Sequence, residues 1–168
     1  MRAFAHLLDR LQGLGLVAEA AAHCDIPCKI YDPGPILIDA LTVVRMIDIL
    51  DDWRAHRPED DIAFLNTVAR AVAQKEEHAE KVKQAVRVIW GDYFKAPQFE
   101  AFPQIHELTH RIMLQASAAR QGVSREAAVK LVDLVNEFAE IFWATKSVKT
   151  KRCTAPYPPA LAVVYPDL

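Results

Sequence analysis

Residues 23–33 read His-Cys-Asp-Ile-Pro-Cys-Lys-Ile-Tyr-Asp-Pro, and this stretch divides the chain into two parts. Downstream of it, apolar residues recur at helical spacing, whereas the stretch itself holds two of the three cysteines and two of the ten prolines. Pro27 lacks an N–H group, fixes its own φ and disfavours the α conformation of the residue before it. We therefore expect a non-helical turn that brings the sulfur atoms of Cys24 and Cys28 together.

Two thiolates beside the His23 imidazole form a soft, strongly donating ligand set. Cysteine sulfur selects Zn, Cu(I) or iron–sulfur clusters, and strong in-plane donors favour square-planar Ni(II) or Cu(II). The C-x3-C spacing fits a disulfide, half of a zinc site or inert thiols equally well. Zinc usually takes four ligands from two such pairs, and Cys153 stands alone in a proline-rich segment. Spacing alone leaves these alternatives open.

The same residues closely resemble the N-terminal nickel hook of the nickel-containing superoxide dismutases, whose pattern is His-Cys-Asp-x-Pro-Cys-Gly-x-Tyr-Asp-Pro. Lys29 stands where that family usually has glycine, and the other fixed positions match. A second stretch, Trp-Gly-Asp-Tyr-Phe-Lys at residues 90–95, is similar to the family's Trp-x-Asp-Tyr-Phe-Lys segment. The resemblance extends over residues 23–146 and so covers most of the chain.

The resemblance implies an enzyme, a superoxide dismutase with one nickel ion per chain. The nickel would alternate between Ni(II) and Ni(III) while superoxide is converted to oxygen and hydrogen peroxide. The implied Ni(II) ligands are the Cys24 and Cys28 sulfurs, the Cys24 amide nitrogen and the His23 amine, and the His23 imidazole is the implied axial ligand of Ni(III). The alternatives are a non-catalytic nickel- or copper-binding helical protein with the same hook, and a structural bundle with a disulfide.

The resemblance also implies roles for residues around the metal. Tyr31 would share the catalytic role with His23 by ordering water or donating hydrogen bonds, and Asp25 would orient the hook backbone. Asp39 and His78 fall where the family places a carboxylate and a basic residue that hold the axial imidazole, glutamate and arginine in its best-known members. Without the resemblance, Tyr31 is a packing residue, Asp39 a solvated first-turn carboxylate and His78 part of an exposed charged run.

Residues 1–22 precede the hook and end in three alanines, of the kind that processing peptidases cut after. Asp9 and Arg10 interrupt the apolar run, which makes it a poor secretory segment. The resemblance implies a leader that a protease removes just before His23. A free α-amino group has a pKa of about 8 and binds metal readily, whereas a backbone amide is a weak ligand until it is deprotonated. Cleavage would therefore activate the site, although residues 1–22 alone also fit a first helix.

Hydrophobic periodicity downstream of the hook predicts four helices joined by short loops, at about residues 36–56, 62–93, 104–121 and 125–146. The predicted fold class is therefore all-α, an antiparallel four-helix bundle with an N-terminal non-helical metal-binding hook. We expect a leader, a nickel hook, the bundle and a proline-rich tail, at residues 1–22, 23–35, 36–146 and 147–168. Because four prolines block helix formation in the tail, we expect it to be flexible or laid on the surface. A docking segment is the lesser alternative.

Composition excludes several classes of protein. The 168 residues suffice for one domain with a core, and 52% hydrophobic with 25% charged residues is ordinary for a globular protein. A net charge of −2 gives no reason to expect nucleic acid, and no apolar run reaches the roughly 18 residues of a membrane span. Three cysteines make no disulfide framework, so we expect a cytoplasmic protein. The resemblance implies a homohexamer.

Overall fold

The structure is a computed structural model that describes residues 29–168, and within it Tyr31–Leu168 form one compact unit. The described elements are α1 (Gly34–Ala55), α2 (Asp61–Val88), a π-helical turn (Ile89–Tyr93), α3 (Ala96–Ala101), α4 (Ile105–Gln121), α5 (Arg125–Ala144), β1 (Thr150–Thr154) and β2 (Ala162–Pro166). Around the bundle, α1 packs against α2 and α5, and α4 packs against α2 and α5. The predicted all-α four-helix bundle is confirmed. No helix among the described residues is long and apolar enough to cross a membrane.

Local signals in the sequence set the helix starts. The Asp60 carboxylate accepts hydrogen bonds from the Ile62 and Ala63 amides at 2.9 and 3.1 Å, which caps α2. The Ser124 hydroxyl accepts from the Ala127 amide at 3.2 Å and caps α5. Such caps satisfy amides that have no partner within the helix. Both helices therefore begin within a residue of the predicted positions.

The core of the bundle is built from apolar residues at the helical spacing on which the fold prediction rests. On α1 the residues Ile36, Ala40, Val43 and Ile47 are all at most 1% exposed. The contribution of α5 is the largest, with ten buried residues: Ala128, Leu131, Val132, Leu134, Val135, Asn136, Phe138, Ala139, Ile141 and Phe142. The first turns of α2 contribute less to the core, since Leu65 is 58% exposed although it lies at the same helical spacing.

A lysine on α2 is buried in the bundle, although the residues around it in the sequence are densely charged. Lys75 is 2% exposed, whereas Glu76 is exposed. The Lys75 ammonium donates hydrogen bonds to the carbonyl oxygens of Ala119 and Gly122 at 3.0 and 2.9 Å, and also to that of Arg120. These carbonyls end α4 and lack partners within the helix, so the cation caps that terminus. Burial lowers the pKa of Lys75, and the Glu76 charge opposes part of that shift.

The segment between α2 and α4 is more ordered than the predicted loop. The helix continues from α2 into the π-helical turn, and α3 begins after Phe94 and Lys95. Pro97 lies in the first turn of α3. Proline is tolerated there because N–H groups in the first turn have no hydrogen-bond partner within the helix. This compact connection places Phe94 in the core and Tyr93 against it.

The C-terminal segment is a β-hairpin; of the two expected arrangements, a flexible tail is wrong and a segment laid on the surface of the bundle agrees with the structure. Strands β1 and β2 pair antiparallel, with Cys153 opposite Val163 and Thr150 opposite Pro166. Val163 and Val164 are 2% and 3% exposed because they join the bundle's core. The other three prolines lie between the strands, where no ladder hydrogen bond is required of them. The segment lies on the surface of its own bundle.

Candidate metal centre

The structure describes the residues predicted to hold the metal ligands in place, but it does not describe the predicted ligands themselves. His23, Cys24, Asp25 and Cys28 lie outside the described residues, as does the predicted leader. Within residues 29–168, no three His, Cys, Asp or Glu side chains are grouped so that they could hold a metal ion. The donor set in residues 23–28, two thiols with an adjacent imidazole, fits a soft, strong-field ion such as nickel by its chemistry.

Asp39 and His78 form a hydrogen-bonded pair between α1 and α2. The distance from His78 Nδ1 to Asp39 Oδ1 is 2.7 Å, and each side chain is 18% exposed. Because an ionised carboxylate can only accept, Nδ1 carries the proton and Nε2 remains available to another partner. The carboxylate likewise has lone pairs for a second donor. The alternative in which both residues are solvated is wrong.

Tyr31, directly downstream of the hook, packs against Tyr93, a residue to which the sequence analysis gave no role. The two ring centroids are 5.6 Å apart at an interplanar angle of 53°. Tyr93 packs in turn against Phe142 of α5, with centroids 4.8 Å apart. The clue in the sequence was the tyrosine of the matched segment at residues 90–95, but only the fold brings it to Tyr31.

The Tyr93 hydroxyl is fixed by a short hydrogen-bond chain. The Thr145 hydroxyl donates to the Phe142 carbonyl oxygen at 2.6 Å, so its oxygen accepts from the Tyr93 hydroxyl, also at 2.6 Å. The Lys146 ammonium lies 4.8 Å from the Tyr93 ring centroid, a favourable cation–π distance. The Tyr93 ring, which contacts Tyr31, is therefore fixed by Phe142, Thr145 and Lys146.

Three histidines that have no assigned role at the metal site, His56, His106 and His110, are all exposed. His106 is nevertheless held in place, because its ring stacks on Phe99 with centroids 4.3 Å apart. Its Nδ1 accepts a hydrogen bond from Trp90 Nε1 at 3.2 Å. Its contacts are with α3 and the π-helical turn, which agrees with a packing role.

Lys29 has a backbone conformation that favours glycine. Its φ of 59° lies in the left-handed region, which costs an L-residue roughly 1–2 kcal/mol and costs glycine nothing comparable. The glycine found at this position in the hook pattern is therefore explained by the backbone. Lys29 keeps the conformation at some energetic cost.

A helical bundle preceded in the sequence by a histidine and two cysteines is typical of a helical metalloprotein. The sequence model described as nickel-containing superoxide dismutase matches residues 18–146, and the chain belongs to that family. It is 34% identical to the superoxide dismutase [Ni] of Streptomyces seoulensis over 128 residues, which are 76% of this chain and 91% of that protein. It is 36% identical to the protein of the same name from Streptomyces coelicolor over 126 residues, 75% of this chain and 89% of that one.

Solved structures give the same result for the fold. A native nickel superoxide dismutase structure superposes with a TM-score of 0.64 at 35% identity, covering 74% of this chain and 99% of the other. An apo structure of nickel superoxide dismutase superposes with a TM-score of 0.62 at 31% identity, covering 70% and 98%. The C-terminal hairpin follows the end of the family match at residue 146.

Proposed function

We propose that this chain is a nickel superoxide dismutase whose metal is held by His23, Cys24 and Cys28. The observation that carries the proposal is the family match over residues 18–146, which includes this whole donor set. The relatives carry the name of a dismutase, so the alternative of a non-catalytic metal carrier is not favoured. A bound nickel ion that changes between Ni(II) and Ni(III) supplies the one-electron chemistry.

The protein's own side chains position one ligand and supply protons. Two superoxide ions and two protons give one oxygen and one hydrogen peroxide. In our proposal the Asp39 carboxylate accepts from the second ring nitrogen of His23, and His78, 2.7 Å from Asp39, holds that carboxylate. Tyr31 orders water where protons are taken up, and its ring is held by Tyr93. Asp25 orients the backbone of the hook.

We propose that a protease removes residues 1–22 and that the active form begins at His23. The support is chemical, because the cleaved residue offers both an amine and an imidazole. We further propose a cytoplasmic homohexamer. The exposed Ile62 and Leu65 of α2, 77% and 58% exposed, are apolar residues that assembly could cover, and the cellular location rests on the cysteine content alone.

The ligand assignment is tested by cysteine substitutions in the chain that begins at His23. Cys24→Ser or Cys28→Ser should abolish nickel binding and its thiolate-to-metal absorption band, because a serine hydroxyl is a hard donor that stays protonated at neutral pH. Cys153, an exposed free thiol on β1, is the matched control. Cys153→Ser should change neither nickel binding nor the absorption band. A requirement for Cys153 together with co-purifying zinc would disprove the assignment.

His23→Gln separates the amine of the first residue from its imidazole. This variant should still bind Ni(II), because the amine and both thiolates remain, but its turnover should be suppressed. Unchanged turnover in this variant would exclude the proposed axial ligand.

A further inference from the structure

A pocket of about 300 Å³ lies between the start of α1, the end of α5 and the C-terminal hairpin, residues 150–166. Every residue that lines this pocket belongs to the compact unit Tyr31–Leu168. Five of the lining residues lie beyond residue 146, where the family match ends. The hairpin therefore contributes a wall that the matched family segment does not contain.

The most buried residues of the lining are aliphatic. Leu37 and Leu41 of α1 and Val163 and Val164 of β2 are each at most 4% exposed, and we call these four residues the floor of the pocket. Displacing water from such side chains by an apolar group is favourable. The floor therefore favours a ligand with an apolar body.

Three aromatic side chains line the same pocket, Trp143 of α5 and the hairpin's Tyr157 and Tyr165. The two tyrosines are 42% and 37% exposed, and Trp143 is partly exposed. Aromatic rings attract cations through their quadrupole, tryptophan most strongly, and groups of such rings recognise organic ammonium ions. The aromatic lining therefore favours a ligand that carries positive charge.

Asp32 supplies a formal negative charge that the lining does not balance. Its Oδ1 accepts a hydrogen bond from the Gly34 N–H at 2.7 Å, which fixes the carboxylate. Among the residues that the structure describes, its Oδ2 has no partner, and no Lys, Arg or His side chain lines the pocket. Burial and the neighbouring Tyr157 raise the pKa of Tyr165, so that phenol stays neutral at physiological pH.

We propose that this pocket binds a small organic ammonium ion, with the cationic head against Asp32 and the aromatic rings and the apolar body on the floor. Its volume is at the lower end of small-molecule sites, which span roughly 300–1,000 Å³, so the ligand is a free small molecule. Because Asp32 repels anions, superoxide is not this ligand. Binding here adds to the proposed dismutase activity and does not depend on it.

Benzyltrimethylammonium is the probe, because it joins a quaternary ammonium head to one apolar ring. In the full chain, its titration should shift the methyl NMR signals of Leu41, Val163 and Val164 and saturate with a Kd of about 1 mM or below. Phenylacetate, an anion with the same ring, should shift none of them. Equal binding of phenylacetate, or no saturable shift with the ammonium ion up to about 10 mM, would overturn the proposal.

Asp32→Asn tests the charge, because the asparagine side-chain oxygen can still accept from the Gly34 N–H. We expect this variant to bind the probe about fivefold more weakly. Asp167→Asn is the matched control, since it removes the same charge close to the hairpin, but Asp167 is paired with Lys151 at 2.8 Å and does not line the pocket. It should bind like the wild type. Wild-type affinity in Asp32→Asn, or equal losses in the two variants, would overturn the role of Asp32.

Tyr157→Leu tests the aromatic lining, because it keeps an apolar side chain and removes the ring. We expect about threefold weaker binding of the probe, with an unchanged melting temperature because Tyr157 lies exposed between the strands. Unchanged affinity in a folded Tyr157→Leu variant would contradict the recognition of the cation by this ring. Vesicles of phosphatidylcholine present a quaternary ammonium head at a membrane surface and should not displace the probe. Displacement by these vesicles at lower head-group concentration than by free choline would overturn the assignment to a free small molecule.

Discussion

His78 of α2 donates a hydrogen bond to Asp39 of α1 across 2.7 Å, and both side chains are largely shielded from water. The pair connects the first two helices of the bundle, at the two positions where the family resemblance predicts support of a metal-bound imidazole. By that resemblance Asp39 stands in place of a glutamate and His78 in place of an arginine. Two predictions follow from this difference.

Asp39→Ala should lower turnover while leaving the nickel content nearly intact. Loss of the partner of a metal-bound imidazole commonly costs about 10–100-fold in affinity or activity. Metal analysis and superoxide consumption on the same sample measure both quantities. Asp48→Ala is the control, because Asp48 is also a half-buried carboxylate of α1 and binds Arg125 at 2.7 Å. If the two variants lost the same activity, the role of Asp39 would be structural.

His78→Arg should flatten or shift the pH dependence of activity between pH 6 and about 9, a range that spans the titration of histidine and of an α-amine. Histidine changes its charge near neutral pH and arginine does not. His56→Arg is the control, since His56 is paired with Asp52 at 3.1 Å on the exposed surface. Identical pH profiles for wild type and His78→Arg would remove His78 from the site.

The backbone conformation at Lys29 predicts which substitutions of this residue weaken Ni(II) binding most. Lys29→Val should weaken Ni(II) binding about tenfold relative to Lys29→Asn, because a β-branched residue is poorly tolerated at a φ of 59° whereas asparagine adopts it readily. Both variants remove the same charge, so the comparison isolates the backbone. Chelator competition measures it, and equal affinities would show that the left-handed conformation does not matter for binding.

Sequence alone was most informative where the determinants are local. The four predicted helices depend on neighbours within a few residues, namely caps such as Asp60 and Ser124 and the apolar stripe from Ile36 to Ile47. The proposed hook ligands rest on resemblance, since two cysteines and a histidine by themselves fitted several kinds of metal site.

Long-range contacts account for what the sequence analysis missed. Lys75 is buried because carbonyls 44 to 47 residues away surround its ammonium, and no periodicity of α2 shows that. The hairpin lies on the bundle with Asn136, 28 residues before Val164, as a hydrogen-bond partner of β2. The contact between Tyr31 and Tyr93 likewise requires the folded bundle.

The buried position of Lys75 predicts a loss of stability on substitution. Lys75→Met should lower the free energy of unfolding by about 2–3 kcal/mol, because hydrogen bonds from a cation are lost and carbonyls at the end of α4 are left without partners. Lys81→Met is the control on the same helix, where only an exposed pair with Glu77 is lost, and it should change the melting temperature little. Urea unfolding of both variants measures the difference, and equal stabilities would contradict the capping role.

The central claim is that a nickel ion held by residues 23–28 makes this chain a superoxide dismutase. The most direct test is the rate of superoxide decay in the presence of the chain beginning at His23, measured as Ni(II) is added. We predict that the rate rises in proportion to bound nickel up to one ion per chain, and returns to the spontaneous rate when a chelator removes the metal. A chain that binds one nickel ion and leaves superoxide to decay at its spontaneous rate would contradict the account.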